Sequence, residues 1–154
     1  MRWLLSLDPL RTLEHPTLPY LWMSRLQAKR RSLLDISGKR ILVIGGAGFI
    51  GSHVVEELLR TDVGEVVIYD NLTRGKLDHV RDSLEDPRCQ LFPDGGDIRD
   101  VDVLNAAVSR VDGVVHLAAM WLLHCKDYPR TAFDVNIQGT FNVLEACVQN
   151  NVER

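Results

Sequence analysis

The feature that most constrains this chain is a glycine-rich turn set between two different hydrophobic patterns. Ile41-Leu42-Val43-Ile44 is a short, unbroken apolar run, and Gly45-Gly46-Ala47-Gly48-Phe49-Ile50-Gly51 follows directly. An apolar run of four bounded by glycine suits a strand buried on both faces. Beyond the turn, Ile50, Val54 and Leu58 recur every four residues, which suits a helix from about Phe49 to Arg60. The unit is therefore strand, tight turn, helix. The first-turn amides of such a helix lack internal partners, and its dipole adds partial positive charge. Together they form a site for a pyrophosphate. In that reading Gly45 allows the tight turn, Gly48 lets the backbone approach the phosphates, and Gly51 lets helix and strand pack closely. A lone glycine triplet means little; this one has the flanks it requires.

The alternation continues downstream. Val66-Val67-Ile68-Tyr69 reads as a second buried strand, Asp70 to Gly75 as a polar loop, and Leu77 to Leu84 as a short helix. Cys89 to Phe92 is a third strand. Asp100 suits the N-cap of a helix reaching about Val108. Gly113-Val114-Val115-His116 is a fourth strand. A last helix starts near Pro129, with Phe133, Ile137, Phe141, Leu144 and Val148 as its apolar stripe. Buried strands alternating with amphipathic helices predict an α/β fold with a parallel sheet and right-handed crossovers. This is a Rossmann-type sheet, half of a doubly wound fold, with strand order 3-2-1-4. The fourth strand would be an edge open to association.

Residues 1–39 differ. They hold Pro9, Pro16 and Pro19 and no glycine before Gly38. A helix is plausible only from Tyr20 to about Leu34, because proline breaks what precedes it. Lys29-Arg30-Arg31 forms a charged face, which suits a solvated helix better than a nucleic-acid or membrane contact. We read 1–39 as a partly helical N-terminal extension and 40–154 as the nucleotide-binding domain.

Composition narrows the classes. The 154 residues carry 18 basic and 21 acidic groups, a net charge of −3, so a nucleic-acid binder relying on phosphate neutralisation is not indicated. Cys89, Cys125 and Cys147 form no C-x-x-C pair, and their number is odd, which argues against a disulfide framework or a zinc site. No apolar run nears the ~20 residues needed to span a bilayer. Asp8 and Pro9 interrupt any signal-peptide core, so the expected compartment is the cytoplasm, without membrane or nucleic-acid partners.

Asp70 ends the second strand. A carboxylate there can accept from both ribose hydroxyls of an adenosine and would repel a 2′-phosphate, which favours NAD over NADP. Arg74 nearby pulls the other way, and Asp70 is given more weight for its place at the strand end. A plain solvated turn residue is the alternative for Asp70.

Together these stretches resemble the extended short-chain dehydrogenases/reductases, the NAD-dependent epimerase/dehydratase family. Gly45, Gly48 and Gly51 match its glycine motif, with Ile44 where a threonine is usual. Tyr69-Asp70-Asn71-Leu72, Asp97-Ile98-Arg99-Asp100, His116-Leu117-Ala118-Ala119 and Asp134-Val135-Asn136-Ile137-Gln138-Gly139-Thr140 follow in the family's order. The resemblance runs from about Arg40 to the end of the chain. It implies that the amides of Phe49 and Ile50 meet the pyrophosphate, and that Asp70 and Asn71 hold the adenosine ribose. It also implies that Asp97 and Ile98 border the adenine, with Asp97 accepting from its exocyclic amine. Leu117, Ala118 and Ala119 would line the cofactor, and Asn136 would orient groups behind the nicotinamide. Plainer roles stay open: Asp97 as a cap on the Gly95-Gly96 turn, His116 as a structural histidine, Asn136 as a helix–sheet bond. Trp121 stands where some sugar-nucleotide epimerases carry lysine. His124 beside Cys125 lacks the orienting third group a nucleophile needs.

The family's chemistry is reversible hydride transfer on a nucleotide sugar, with a tyrosine base one helical turn from a lysine. Tyr20, Tyr69 and Tyr128 are followed four residues later by Ser24, Thr73 and Ala132, so no Tyr-x-x-x-Lys pair exists and no catalytic residue is assigned. The expectation is an NAD-binding portion truncated before its catalytic region, inactive alone. Its partners would be NAD(H), a nucleotide-sugar substrate, and a second copy or a complementing C-terminal half. A non-catalytic NAD(H)-binding module is the alternative.

Overall fold

A computed structural model describes residues 35–154; the helix expected over 20–34 lies outside the described residues. Four strands, β1 (Arg40–Ile44), β2 (Glu65–Tyr69), β3 (Cys89–Leu91) and β4 (Gly113–His116), form one parallel sheet in the order β3-β2-β1-β4. This is the predicted order. The register aligns Ile44 with Tyr69 on one side and with His116 on the other, so the carboxyl ends of the three strands lie level.

The central strands are buried on both faces, and alternate side chains feed two cores. Leu42, Ile44, Val67 and Tyr69 pack with α2 (Val101–Val108) and α5 (Thr140–Gln149). Ile41, Val43, Val66 and Ile68 pack with Val55 of α1 (Phe49–Leu59), Val63 and Val80. Asp100 caps α2 as expected, accepting from Val103 N at 3.2 Å. Residues just before β1 join the same domain: Ile36 packs on the second core, and Ser37 bridges Val63.

Two expectations need correction. The segment near Leu77–Leu84 is two 3₁₀ turns, Leu77–His79 and Ser83–Glu85, rather than one helix. Between them Val80 is fully buried and leaves helical geometry at φ −122°, so anchoring this one side chain interrupts the coil. The last helical region is α3 (Leu122–Asp127), α4 (Pro129–Phe133), a π-helical stretch over Asp134–Gly139, and α5. The stripe Phe133, Ile137, Phe141, Leu144 and Val148 is not the buried face; each of these is more than half exposed. The buried face is Gly139, Asn142, Val143 and Ala146. Small residues win there because the helix comes very close: a Cβ on Gly139 would lie 2.5 Å from Ile98 Cδ1.

Among the described residues β4 is the outer strand of the ladder. Glu153 N donates to Asp112 O, and Val114 N donates to Arg154 O, so residues 153–154 run beside its start. The Lys39 ammonium adds a cross-link, reaching Asp112 at 3.1 Å and Glu153 at 3.2 Å.

Candidate functional site

A cleft of about 240 Å³ opens at the carboxyl ends of the strands. That is where an open parallel sheet binds ligands. Its floor is the glycine turn. Gly45 sits at φ +82°, a conformation that disfavours a side chain, and a Cβ on it would lie 2.7 Å from Ala118 N. A Cβ on Gly51 would run into the Gly45 carbonyl, so the helix packs directly on the turn. Gly48 differs: its missing side chain would meet only Gly45 O at 3.2 Å and otherwise open space. It also N-caps α1 without any side-chain bond, and no acidic group stands in the helix's first turn. The cradle is thus bare backbone facing the cleft.

The turn is held from three sides. Ala47 N donates to Asp70 Oδ2 at 3.0 Å. Ala47 O accepts from Lys76 N at 3.1 Å and lies 2.9 Å from His79 Nδ1. Asp70 Oδ1 accepts from Leu72 N at 2.8 Å, which supports Leu72 at φ +57°. One carboxylate therefore fixes both the glycine turn and the loop after β2. Two glycines outside the glycine motif make room for it. A Cβ on Gly75 would lie 2.7 Å from Asp70 Oδ1, and one on Gly96 would strike the Asp70 main chain.

Beyond β3, Asp97 pairs with Arg99: Nη2 reaches Oδ2 at 2.6 Å, and Nε reaches Oδ1 at 3.0 Å. Hydrogen bonds from Arg99 hold the Asp97 carboxyl below the usual carboxylate range. Asp97 also accepts from Arg99 N, so its carboxylate is engaged locally while its edge still lines the cleft. Tyr69 Oη donates to Asp97 O at 2.9 Å, and Asn142 Nδ2 donates to Ile98 O at 3.0 Å. Burial raises the Tyr69 phenol well above its ordinary value, so it stays a donor.

Leu117, Ala118 and Ala119 form the wall beyond β4. Asn136 stands behind this wall, outside the cleft lining. Its side-chain amide accepts from Met120 N at 2.7 Å and donates to Met120 O at 2.9 Å. The π-helical stretch carries Asn136, and such turns re-aim side chains out of α-helical register. His116 is structural: Nε2 lies 3.2 Å from Thr140 Oγ1, Nδ1 has no partner, and burial lowers its pKa.

Nine predicted residues line the cleft together: Gly45, Gly48, Asp70, Asn71, Asp97, Ile98, Leu117, Ala118 and Ala119. Gly51 lies behind the turn. Phe49 and Ile50 point outward, 78% and 63% exposed, with their main chain in the first turn of α1. Arg74, weighed beside Asp70, and His124, in the loop beyond β4 that the sequence allowed to face substrate, line it too. The sequence reading did not assign Thr73, Arg99, Met120, Thr131 or Val135, which also line it. Their signal was weak because each belongs to a loop or helix end whose direction no periodicity reports. Among the described residues no group of three or more His, Cys, Asp or Glu side chains is placed to hold a metal.

Comparison with known proteins agrees with this geometry. The model of the 3-beta hydroxysteroid dehydrogenase/isomerase family matches residues 42–154. The UDP-glucose 4-epimerase of Lacticaseibacillus casei is 40% identical over 118 residues, 74% of this chain and 33% of that protein. Human 3 beta-hydroxysteroid dehydrogenase type 7 is 36% identical over 113 residues, 70% of this chain and 29% of that protein. Among solved structures, dTDP-glucose 4,6-dehydratase from Streptomyces venezuelae, with NAD bound, superposes with a TM-score of 0.69 at 36% identity. It covers 75% of this chain and 37% of its own. The chain spans about a third of the length of the curated relatives it matches. With the family model covering residues 42–154, the glycine cleft included, the chain belongs to the 3-beta hydroxysteroid dehydrogenase/isomerase family of NAD-dependent epimerase/dehydratase-type proteins.

Proposed function

We propose that residues 40–154 are the NAD-binding portion of an NAD-dependent epimerase or dehydratase acting on a nucleotide sugar. The observation that carries this is Asp70, locked at the end of β2 by Ala47 N and Leu72 N beside an open glycine turn. Asp70 and Asn71 would hold the adenosine ribose, and Asp97 and Ile98 would border the adenine. The first-turn amides at Gly48, Phe49 and Ile50 would take the pyrophosphate. Leu117, Ala118 and Ala119 would line the nicotinamide side, with Asn136 bracing them through Met120. NAD, when bound, supplies a hydride acceptor for a carbinol carbon. The residues of this chain bind and orient it.

The chain holds no Tyr-x-x-x-Lys pair, so its own contribution is binding without turnover. On this reading the catalytic portion comes from a complementing C-terminal half. The exposed stripe of Phe133, Ile137, Phe141, Leu144 and Val148 and the outer β4 are where such a half, or a second copy in a homo-oligomer, would pack. The cytoplasm is the compartment that suits these partners. Among the described residues no helix is long and apolar enough to cross a membrane.

The hydroxysteroid dehydrogenase match supports a second reading, in which the carbinol belongs to a sterol. Calorimetric titration with NAD tests the shared core of both. A folded chain with no detectable NAD binding overturns the cofactor assignment. Turnover of a UDP-sugar or hydroxysteroid by the purified chain overturns the binding-only assignment.

A further inference from the structure

One contact joins the loop after β2 to the segment after β4. The Arg74 guanidinium carbon lies 4.5 Å from the centre of the Trp121 ring. Arg74 belongs to the loop after β2, and Trp121 follows the wall after β4. In the order β3-β2-β1-β4 those two strands flank β1, whose carboxyl end carries the glycine turn, and Arg74 lines the cleft together with Gly45 and Gly48. The Trp121 ring is itself propped edge-on by His124, with centroids 5.4 Å apart.

The charges around the cleft single out Arg74. Arg99 is the other arginine in its lining, and it is engaged by Asp97. Among the described residues Arg74 forms no ion pair; its partner is the indole face. An aromatic face holds a guanidinium by its π-cloud while leaving the N–H groups at its edge unused. Those N–H groups form a fork suited to phosphate oxygens. Among the described residues no main-chain hydrogen bond involves Arg74 or Gly75, while Thr73 N and Lys76 N on either side are bonded.

We propose that Arg74, seated on Trp121, is the cation that closes over the pyrophosphate of the bound dinucleotide, opposite the helix amides. This rests on the NAD reading above and adds a phosphate partner that lies outside the glycine motif. A role in recognising a 2′-phosphate fits less well. The ribose end of the site is marked by Asp70 just past β2, whereas the guanidinium lies against Trp121 beyond β4.

The test uses the full 154-residue chain, titrated calorimetrically with NAD⁺, ADP-ribose and NADP⁺, and with adenosine followed by ligand-observed NMR. Arg74→Ala should weaken NAD⁺ and ADP-ribose by roughly ten-fold, the scale of one charge-assisted contact, and leave adenosine unchanged. The salt dependence of NAD⁺ binding should flatten as well. Trp121→Ala should reproduce most of that loss and Trp121→Phe little of it. The double variant should be no worse than Arg74→Ala alone, because the two side chains act as a unit. Equal melting temperatures across the set show that folding is not the cause. Unchanged NAD⁺ affinity in Arg74→Ala, with wild type binding normally, overturns the clasp and leaves the NAD reading standing. A loss confined to NADP⁺ also overturns it. A wild-type chain that binds no dinucleotide removes the NAD reading and the clasp together.

Discussion

Asp70 acts in two directions with one carboxylate. It accepts from Ala47 N and Leu72 N, and the remaining acceptor capacity of its oxygens faces the cleft. Replacing it with alanine should cost about 1–3 kcal/mol of folding stability, from two amides left without their acceptor. NAD binding should fall with it; denaturant melts and calorimetry read the two effects separately. Gly51→Ala should be worse for stability than most surface changes. Its Cβ would strike the Gly45 carbonyl, and overpacking of this kind typically costs about 1–3 kcal/mol. His116 makes a pH prediction. Burial lowers its folded pKa below the ordinary 6.5, so the unfolded chain binds the proton more tightly. The stability from the neutral ring is fully present above about pH 6.5, by the same linkage, and is lost as pH falls toward the folded pKa. His116→Gln should flatten that part of the stability–pH curve, read by chemical denaturation between pH 7 and 5 in steps of about half a unit. Asp97 and Asp112, whose folded values are lowered, lose their contribution further down, below the carboxylate range.

At the scale of elements, the last helix shows where sequence patterning reaches its limit. Two faces of α5 and the stretch before it carry small or apolar side chains at helical spacing. The bulkier face, Phe141, Leu144 and Val148, looked like the core-facing one and is exposed; Gly139, Val143 and Ala146 face the sheet. Side-chain size is a poor guide where helix and sheet approach closely, because close approach selects small residues. The contrast is measurable. Val143→Ala should destabilise by roughly 1–3 kcal/mol, while Leu144→Ala should stay within about 0.5 kcal/mol in the monomeric chain. β1 and β2 were legible because four consecutive apolar residues admit few arrangements, and the Asp100 cap was legible because its chemistry is local. The π-helical stretch was not, since a single extra residue in a turn leaves no mark on composition. The cleft was read at its floor and walls, where motifs lie at strand ends. What was not legible is that Arg74 and Trp121, each singled out in the sequence, meet across 47 positions.

For the molecule as a whole, the sheet's central strand carries the glycine turn, and the loops on either side of it form the cleft's two lips. A ligand held by all of them ties β1, β2, β3 and β4 together. NAD at about one hundred times its dissociation constant should stabilise the fold by about 2.7 kcal/mol, visible as a rise in melting temperature that grows with ligand concentration. ADP-ribose should do much of the same, since the adenosine and pyrophosphate contacts span the most strands. The lips themselves are unequal. On one side a single amide, that of Asn136, takes both main-chain groups of Met120, as a neighbouring strand would. A side chain thus stands in for a missing rung of the ladder. The β4 lip behaves as a fixed jamb, braced through Met120 by the helical stretch behind it.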